Sequence, residues 1–460
     1  MLSVRESGIL LSVFSLPGDF GIGTLGDGAR RFVDFLAGAG QSYWQTLPLF
    51  PAGEGNSPYM SPSSFAGNPL FIDLPELEGL GLLTREELSA ARTENFDRVH
   101  YESLAPERLR LLKKAWERSG AAPVLPDCPE LEEYARFRAE QDGDEIEFHR
   151  FLQEVFLRQW FALRRYANDR GVKLIGDLPF YVSPSSAETR YHPELFQLDP
   201  AGHPIRTAGV PPDAFSDSGQ LWGNPLYNWE GRREELFDWW TRRLAWSMKL
   251  FDTVRLDHFR GFHTYWSVSA GAKDASGGRW EKGPGTALLE HLSRAVPGLS
   301  VIAEDLGDLD GEALAFVRES GLPGMRVLVF AFDPAEESAY LPHNCPPHSV
   351  MYTGTHDTPT FVQWLFCEAS PEERRFACEY LRLSEEEGFG WGAVRGAWAS
   401  PSRLSIAPLQ DVLGLGGDAR VNTPGTMGPM NWSWRVRADA LNGGVASRLR
   451  GLTRTYGRLR

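Results

Sequence analysis

Eight short, apolar, β-rich runs recur along the chain, most of them followed by a helical pattern: "GILLSVFSLPG", "YWQTLPLFP", "VKLIGDLPFYV", "TVRLDHFRG", "SVIAEDLG", "MRVLVFAFD", "HSVMYTGTHD" and "RLSIAPLQDV". Strands that alternate with helices build a parallel sheet. Eight such units predict an α/β protein with a (β/α)8 TIM barrel, and 460 residues accommodate one such barrel with insertions. A doubly wound open sheet is the alternative, but no GxGxxG opens a helix. "GDFGIGTLGDG" has glycines at similar density without a clear strand–turn–helix context. The expected organisation is a single barrel over 1–460. Insertions are expected at roughly 70–145, mixed and charged, and at roughly 183–235, rich in Pro, Gly, Asn and Trp. The most periodic helix candidate is "IEFHRFLQEVFLRQWFALRRYANDRG". There Phe148, Phe151, Leu152, Val155 and Phe156 form an i, i+3, i+4, i+7, i+8 stripe, and Gly171 ends the pattern.

Charge and composition narrow the partners. The formal net charge is −14, which argues against a nucleic-acid surface and suits a neutral ligand. Cys128, Cys345, Cys367 and Cys378 show no CxxC spacing, so a reducing cytoplasm is the expected compartment. The opening "MLSVRESGILLSVFSLPGDF" reads as a first strand and not as a signal peptide, and no run approaches membrane-spanning length. Aromatics are 12% of the chain and include 15 tryptophans. Trp222 and Trp229 fall in "SGQLWGNPLYNWEG", and Trp432 and Trp434 in "MNWSWR". In surface loops such rings face ligands, and their flat faces suit sugar rings, bases or a partner protein.

Catalytic groups of a barrel come from the C-terminal ends of different strands. Asp257 follows "TVRL", Glu304 follows "SVIA", Asp357 follows "VMYTGTH" and Asp177 follows "VKLIG". One acid at a strand end is most simply a loop cap or an ion pair, but three or four are harder to assign that way. They suit glycosyl transfer with retention, which needs a carboxylate nucleophile and a carboxyl proton donor about 5–5.5 Å apart. Arg255 shares a strand face with Asp257 and would favour its anion. Glu304 follows an apolar run and precedes Asp305, and burial and a neighbouring negative charge would both raise its pKa. The "DH", "ED" and "HD" pairs are metal-ligand types, but the histidines lack HExxH spacing. "THD" ends a strand where an HD-type phosphohydrolase would carry it on a helix. GxSxG is missing.

Nine strings, in order and nearly end to end, carry a resemblance: "SLPGDFGIGTLG", "GNSPYMSPSSFAGNPLFIDL", "GDLPFYVSPSSAE", "GVPPDAFSDSGQLWGNPLYNW", "VRLDHFRGF", "AEDLG", "GLPGMRVLVFAFD", "YTGTHD" and "VNTPGTMGPMNWSWR". They resemble the amylomaltases, or 4-α-glucanotransferases (disproportionating enzymes), of the α-amylase-like clan. The resemblance implies a barrel with inserted subdomains, a covalent glucosyl-enzyme intermediate, no metal requirement and no other cofactor. Its implied partners are a maltodextrin or α-1,4-glucan donor and acceptor, with neither nucleic acid nor membrane. By resemblance Asp257 is the nucleophile and Glu304 the general acid/base. Asp357 holds sugar hydroxyls and stabilises the transition state, with His356 beside it, and Arg255 orients the nucleophile. Ser57, Tyr59, Asp177 and His258 surround the sugar at the cleavage site. Asp213, Gln220 and Trp222 lie on a loop folded over the substrate, where Phe215 and Trp222 supply apolar cover. Asn422 lies in the last motif. The chain departs from the family in having Thr358-Pro359 after "YTGTHD", where Asn is usual, and in being compact. Two rivals share these residues: an α-glucan hydrolase with water as acceptor, and a non-catalytic glucan-binding protein on a decayed barrel, against which the complete set of three acids argues.

Overall fold

The computed structural model describes residues 4–93, 97–212, 217–307 and 309–460. Among them the chain forms twelve strands: β1 (Glu6–Leu10), β2 (Tyr43–Gln45), β3 (Lys173–Leu178), β4 (Arg206–Val210), β5 (Gln220–Pro225), β6 (Thr253–Leu256), β7 (Thr264–Ser269), β8 (Arg279–Lys282), β9 (Val301–Ala303), β10 (Gly324–Val327), β11 (Ser349–Tyr352) and β12 (Leu404–Pro408). Eight close into a parallel barrel in the order β1-β12-β11-β10-β9-β6-β3-β2. These are the eight apolar runs of the sequence, and the fold is a (β/α)8 barrel. Nearly every residue of these strands is buried. A parallel strand is covered by helices on one face and by the barrel interior on the other, so it reads as a continuous apolar run and not as an alternation.

The seam is β1 against β12, in register from Glu6↔Leu404 to Leu10↔Pro408. Below it the buried Arg458 donates to the carbonyls of Glu6, Trp398, Ser400 and Ser402 at 2.8–3.0 Å. A buried cation without hydrogen-bond acceptors is costly, and here carbonyls from both sides of the seam supply them.

Two excursions leave the barrel. Between β2 and β3 run helices Leu74–Gly79, Arg85–Ala91, Tyr101–Ser119 and Pro129–Asp142, followed by the long helix Ile146–Asn168. The stripe from Phe148 to Phe156 is buried, and Gly171 turns the chain into β3 with φ 75°. The glycines of "GDFGIGTLGDG" allow close packing. A Cβ on Gly23 would lie 1.9 Å from the Val13 carbonyl, and one on Gly26 2.1 Å from the Asp73 carboxylate. Asp73 itself accepts from Thr24 and caps the helix that follows it.

The second excursion is a four-stranded antiparallel sheet in the order β5-β4-β7-β8. Strands β4 and β5 precede barrel strand β6, whereas β7 and β8 follow it. Half of this sheet therefore lies beyond the span 183–235. The stretch "GVPPDAFSDSGQLWGNPLYNW" is expected as a loop, but its start pairs with its middle as antiparallel strands (Gly209↔Leu221, Val210↔Gln220). Glycine and proline disfavour strands locally, and the backbone pairing of β4 with the distant β7 overrides that preference. No helix among the described residues is long and apolar enough to cross a membrane.

Candidate active site

Register places the acids. Asp177 of β3 is the direct partner of Arg255 of β6, and both face the barrel interior. Arg255 Nη1 donates to both oxygens of Asp177, at 2.7 and 2.8 Å, and to Asp257 Oδ1 at 3.0 Å. Asp257 is two residues along the chain and therefore on the same face. On the other side of β6, Leu256 pairs with Ala303 of β9. The next residues, Asp257 and Glu304, thus leave neighbouring strands at one height, where adjacent backbones run roughly 4.8 Å apart.

The two carboxyls have different surroundings. Asp257 lies on the floor of the barrel mouth, ringed by protein but with 26% of its side chain still open. Burial pushes its pKa up to about 6, while Arg255 pulls the other way and Asp177 adds to the rise. Burial pushes Glu304 further, to about 8. Arg255 opposes that shift, the Asp257 charge reinforces it, and the backbone N–H groups of His258 (2.7 Å) and Leu306 (3.0 Å) moderate it. The negative neighbour of Glu304 is therefore Asp257 and not the adjacent Asp305. Asp305 points away, accepting from Met325 N at 2.6 Å and pairing with Arg326 at 3.0 Å. Successive residues leaving a strand point to opposite sides, so sequence adjacency is misleading here.

Asp357 sits on the loop after β11. Burial alone would raise its pKa, but the His356 ring at 3.1 Å and the Asn422 amide at 2.6 Å outweigh it and hold the carboxyl down to about 2. Arg420 fixes the same corner by donating to the carbonyls of Asp357 (3.0 Å) and Asn422 (2.8 Å). Thr358 turns inward. Its hydroxyl accepts from Thr355 N at 2.9 Å and closes the loop on itself.

An aromatic wall surrounds the acids. The Tyr59 hydroxyl donates to Asp177 at 2.7 Å, and its ring stacks on His356 with centroids 5.2 Å apart. Burial and Asp177 raise the Tyr59 pKa, so the phenol keeps the proton that it donates. Ser57 accepts from Tyr59 N at 3.2 Å and caps the turn that presents the ring. Trp432 lies against both Tyr59 and His356. His258 takes a left-handed backbone, φ 48°, which costs roughly 1–2 kcal/mol for a non-glycine residue. In that conformation its N–H meets Glu304. Burial, with Arg260, lowers the His258 pKa to about 4, so the ring is neutral near pH 7. On β5, Trp222 packs edge-on to His258 at 4.9 Å, and its Nε1 donates to Gln220 at 3.1 Å. Asp213 and Phe215 lie outside the described residues.

Of the four loop tryptophans, Trp222 and Trp432 join this wall. Trp229, Trp432 and Trp434 are all buried, Trp229 against Tyr227 at 5.2 Å, and Trp222 alone of the four is half-buried. Arg243, inconspicuous in the sequence, also shapes the site. This fully buried residue donates to the carbonyls of Pro179 and Phe180, and so sets the turn after Asp177. Its rings are Trp239 and Trp240, at 5.0 and 4.8 Å. The only sequence signal was a cation on the apolar face of a helix. Among the described residues, one group has metal-ligand geometry: Asp142, Asp144 and His149, none of them at a strand end. Its carboxylates already pair with Arg138 and Lys113.

Comparison with known proteins agrees with the fold. The 4-alpha-glucanotransferase family model matches residues 11–143 and 126–441. A 4-alpha-glucanotransferase of Clostridium butyricum is 39% identical over 486 aligned positions, covering 97% of this chain and 100% of the relative. That of Aquifex aeolicus is 42% identical over 474, covering 95% and 96%. Amylomaltase from Streptococcus agalactiae, solved in complex with acarbose, matches with a TM-score of 0.93 at 34% identity, covering 99% of this chain and 100% of that one. The chain belongs to the 4-α-glucanotransferase family.

Proposed function

We propose that the chain transfers α-1,4-glucan segments between maltodextrins by a retaining double displacement, in the cytoplasm, with no cofactor. The observation that carries this reading is the pair Asp257 and Glu304, side by side on β6 and β9, with Glu304 pushed up to about 8 and Asp257 to about 6. Near pH 7 one is an anion and the other an acid, as retaining transfer requires. Asp257 attacks the anomeric carbon and the glycosidic bond breaks. Glu304 passes its proton to the leaving oxygen. The 4-hydroxyl of a second glucan, deprotonated by Glu304, then displaces Asp257 and restores both groups.

The other residues support this sequence. Arg255 and Asp177 hold Asp257 in place, and Tyr59 fixes Asp177. Asp357, kept anionic by His356 and Asn422, receives sugar hydroxyls and the positive charge that develops on the ring. His258, Ser57, Gln220, Trp222 and Asp213 belong to the substrate surround in this reading. The β4–β5 hairpin covers the glucosyl-enzyme and excludes water, so that a sugar hydroxyl wins as acceptor. The barrel and its insertions, over 1–460, act as one catalytic unit.

The test is a time course with maltotriose that counts reducing ends. Glucose plus longer maltodextrins at constant reducing ends is the expected result. A steady rise in reducing ends would make the protein a hydrolase, and no conversion would make it a binding protein. Asp257→Asn is expected to lower turnover by at least on the order of 10³-fold. Full turnover in that variant would remove Asp257 from the nucleophile role.

A further inference from the structure

The loop that carries His356 and Asp357 starts at Thr353, just after β11, and ends at Phe361, the first residue of a short helix. Both ends meet one side chain. Thr353 Oγ1 donates to Asp411 Oδ2 at 2.5 Å, and Phe361 N donates to Asp411 Oδ1 at 2.7 Å. Asp411 lies in the helical turn Leu409–Val412, directly after β12, the barrel neighbour of β11. Its side chain is fully buried, and these two donors are neutral. A buried carboxylate held only by neutral donors is costly to keep. Burial pushes its pKa up to about 6 despite both hydrogen bonds. A carboxylate nevertheless does here what a neutral side chain does less well, since each oxygen accepts from a different end of the loop. Within the loop, Thr358 ties Thr355. Outside it, Arg420 and Asn422 hold Asp357 from the far side.

We propose that Asp411 is a positioning residue for Asp357: its carboxylate clasps both ends of the 353–361 loop to the β12 side of the barrel and so fixes where Asp357 meets the sugar. Asp411 touches no reacting atom in this assignment. The inference rests on the role proposed above for Asp357. It differs from simple core packing because its effect should reach the ligand only through Asp357.

The experiment is a double-mutant cycle read by acarbose affinity on the full chain. Calorimetry compares the wild type, Thr353→Val, Thr353→Ser, Asp357→Ala and the Thr353→Val/Asp357→Ala double variant. Valine keeps the shape of threonine but removes the hydroxyl, and serine keeps the hydroxyl. Thr353→Val is expected to weaken acarbose by about tenfold or more in the wild-type background and by less than about twofold beside Asp357→Ala. Thr353→Ser should restore affinity to within about twofold. Equal penalties in both backgrounds, or none in folded Thr353→Val, would overturn the inference while leaving Asp357 in its role. Wild-type affinity and turnover in Asp357→Ala would overturn that role and the inference with it. If Thr353→Val does not fold, Thr353→Ala goes through the same cycle with the same expectations, since it too lacks the hydroxyl that Asp411 accepts from.

Discussion

The pH profile is the most direct check on the division of labour between Asp257 and Glu304. The productive enzyme has Asp257 ionised and Glu304 protonated. Activity therefore rises with pH through about 6, where Asp257 loses its proton, and falls through about 8, where Glu304 loses its own. With those two limbs, kcat/KM for maltotriose peaks near pH 7 and drops to roughly a tenth of that value near pH 5 and near pH 9. Initial rates at low substrate concentration measure it, with thermal unfolding recorded at each pH to keep folding out of the profile. Glu304→Gln assigns the limbs. An amide does not titrate, so the falling limb disappears and the rate drops by roughly 10²–10⁴-fold. The rising limb stays near its place, because Glu304 is already neutral there. A flat wild-type profile between pH 5 and pH 9, or a falling limb that survives in Glu304→Gln, would refute the assignment.

The remaining predictions test the surround. Trp222→Ala opens the hairpin over His258 and is expected to raise hydrolysis relative to transfer, seen as new reducing ends per glucose released from maltotriose. An unchanged ratio counts against the cover role. Tyr59→Phe takes a donor from the buried Asp177 carboxylate and should cost about 1.5–3 kcal/mol in urea unfolding, with kcat reduced as well. Gly176→Ala would bring a Cβ within 2.1 Å of the Phe251 ring beside Asp177. The expected cost is about 1–3 kcal/mol in unfolding free energy, with a lower Tm.

The barrel was legible in the sequence because a parallel strand buried on both faces leaves a local trace. "VKLIGDLPF" or "SVIAEDLG" announces itself without reference to any partner. The four strand-end acids were legible for the same reason, since where an apolar run stops is a local fact. The small sheet was not. Strand β4 pairs with β7 across barrel strand β6, and nothing in the composition of "GVPPDAFSDSGQLWGNP" records a partner that distant. Exposure of the loop tryptophans was not legible either. Trp222 and Trp229 share one stretch, yet one faces His258 and the other the core.

By itself, the sequence determined the repeat of strand and helix, the acids at the strand ends and the family motifs that surround them. Only the tertiary structure decided which charges face one another. It turned Asp305 away to Arg326, set Asp257 against Glu304 by register, and divided one guanidinium between Asp177 and Asp257. The pKa values that distinguish nucleophile from acid come from those burials and pairings, which depend on side chains that converge in space from different strands.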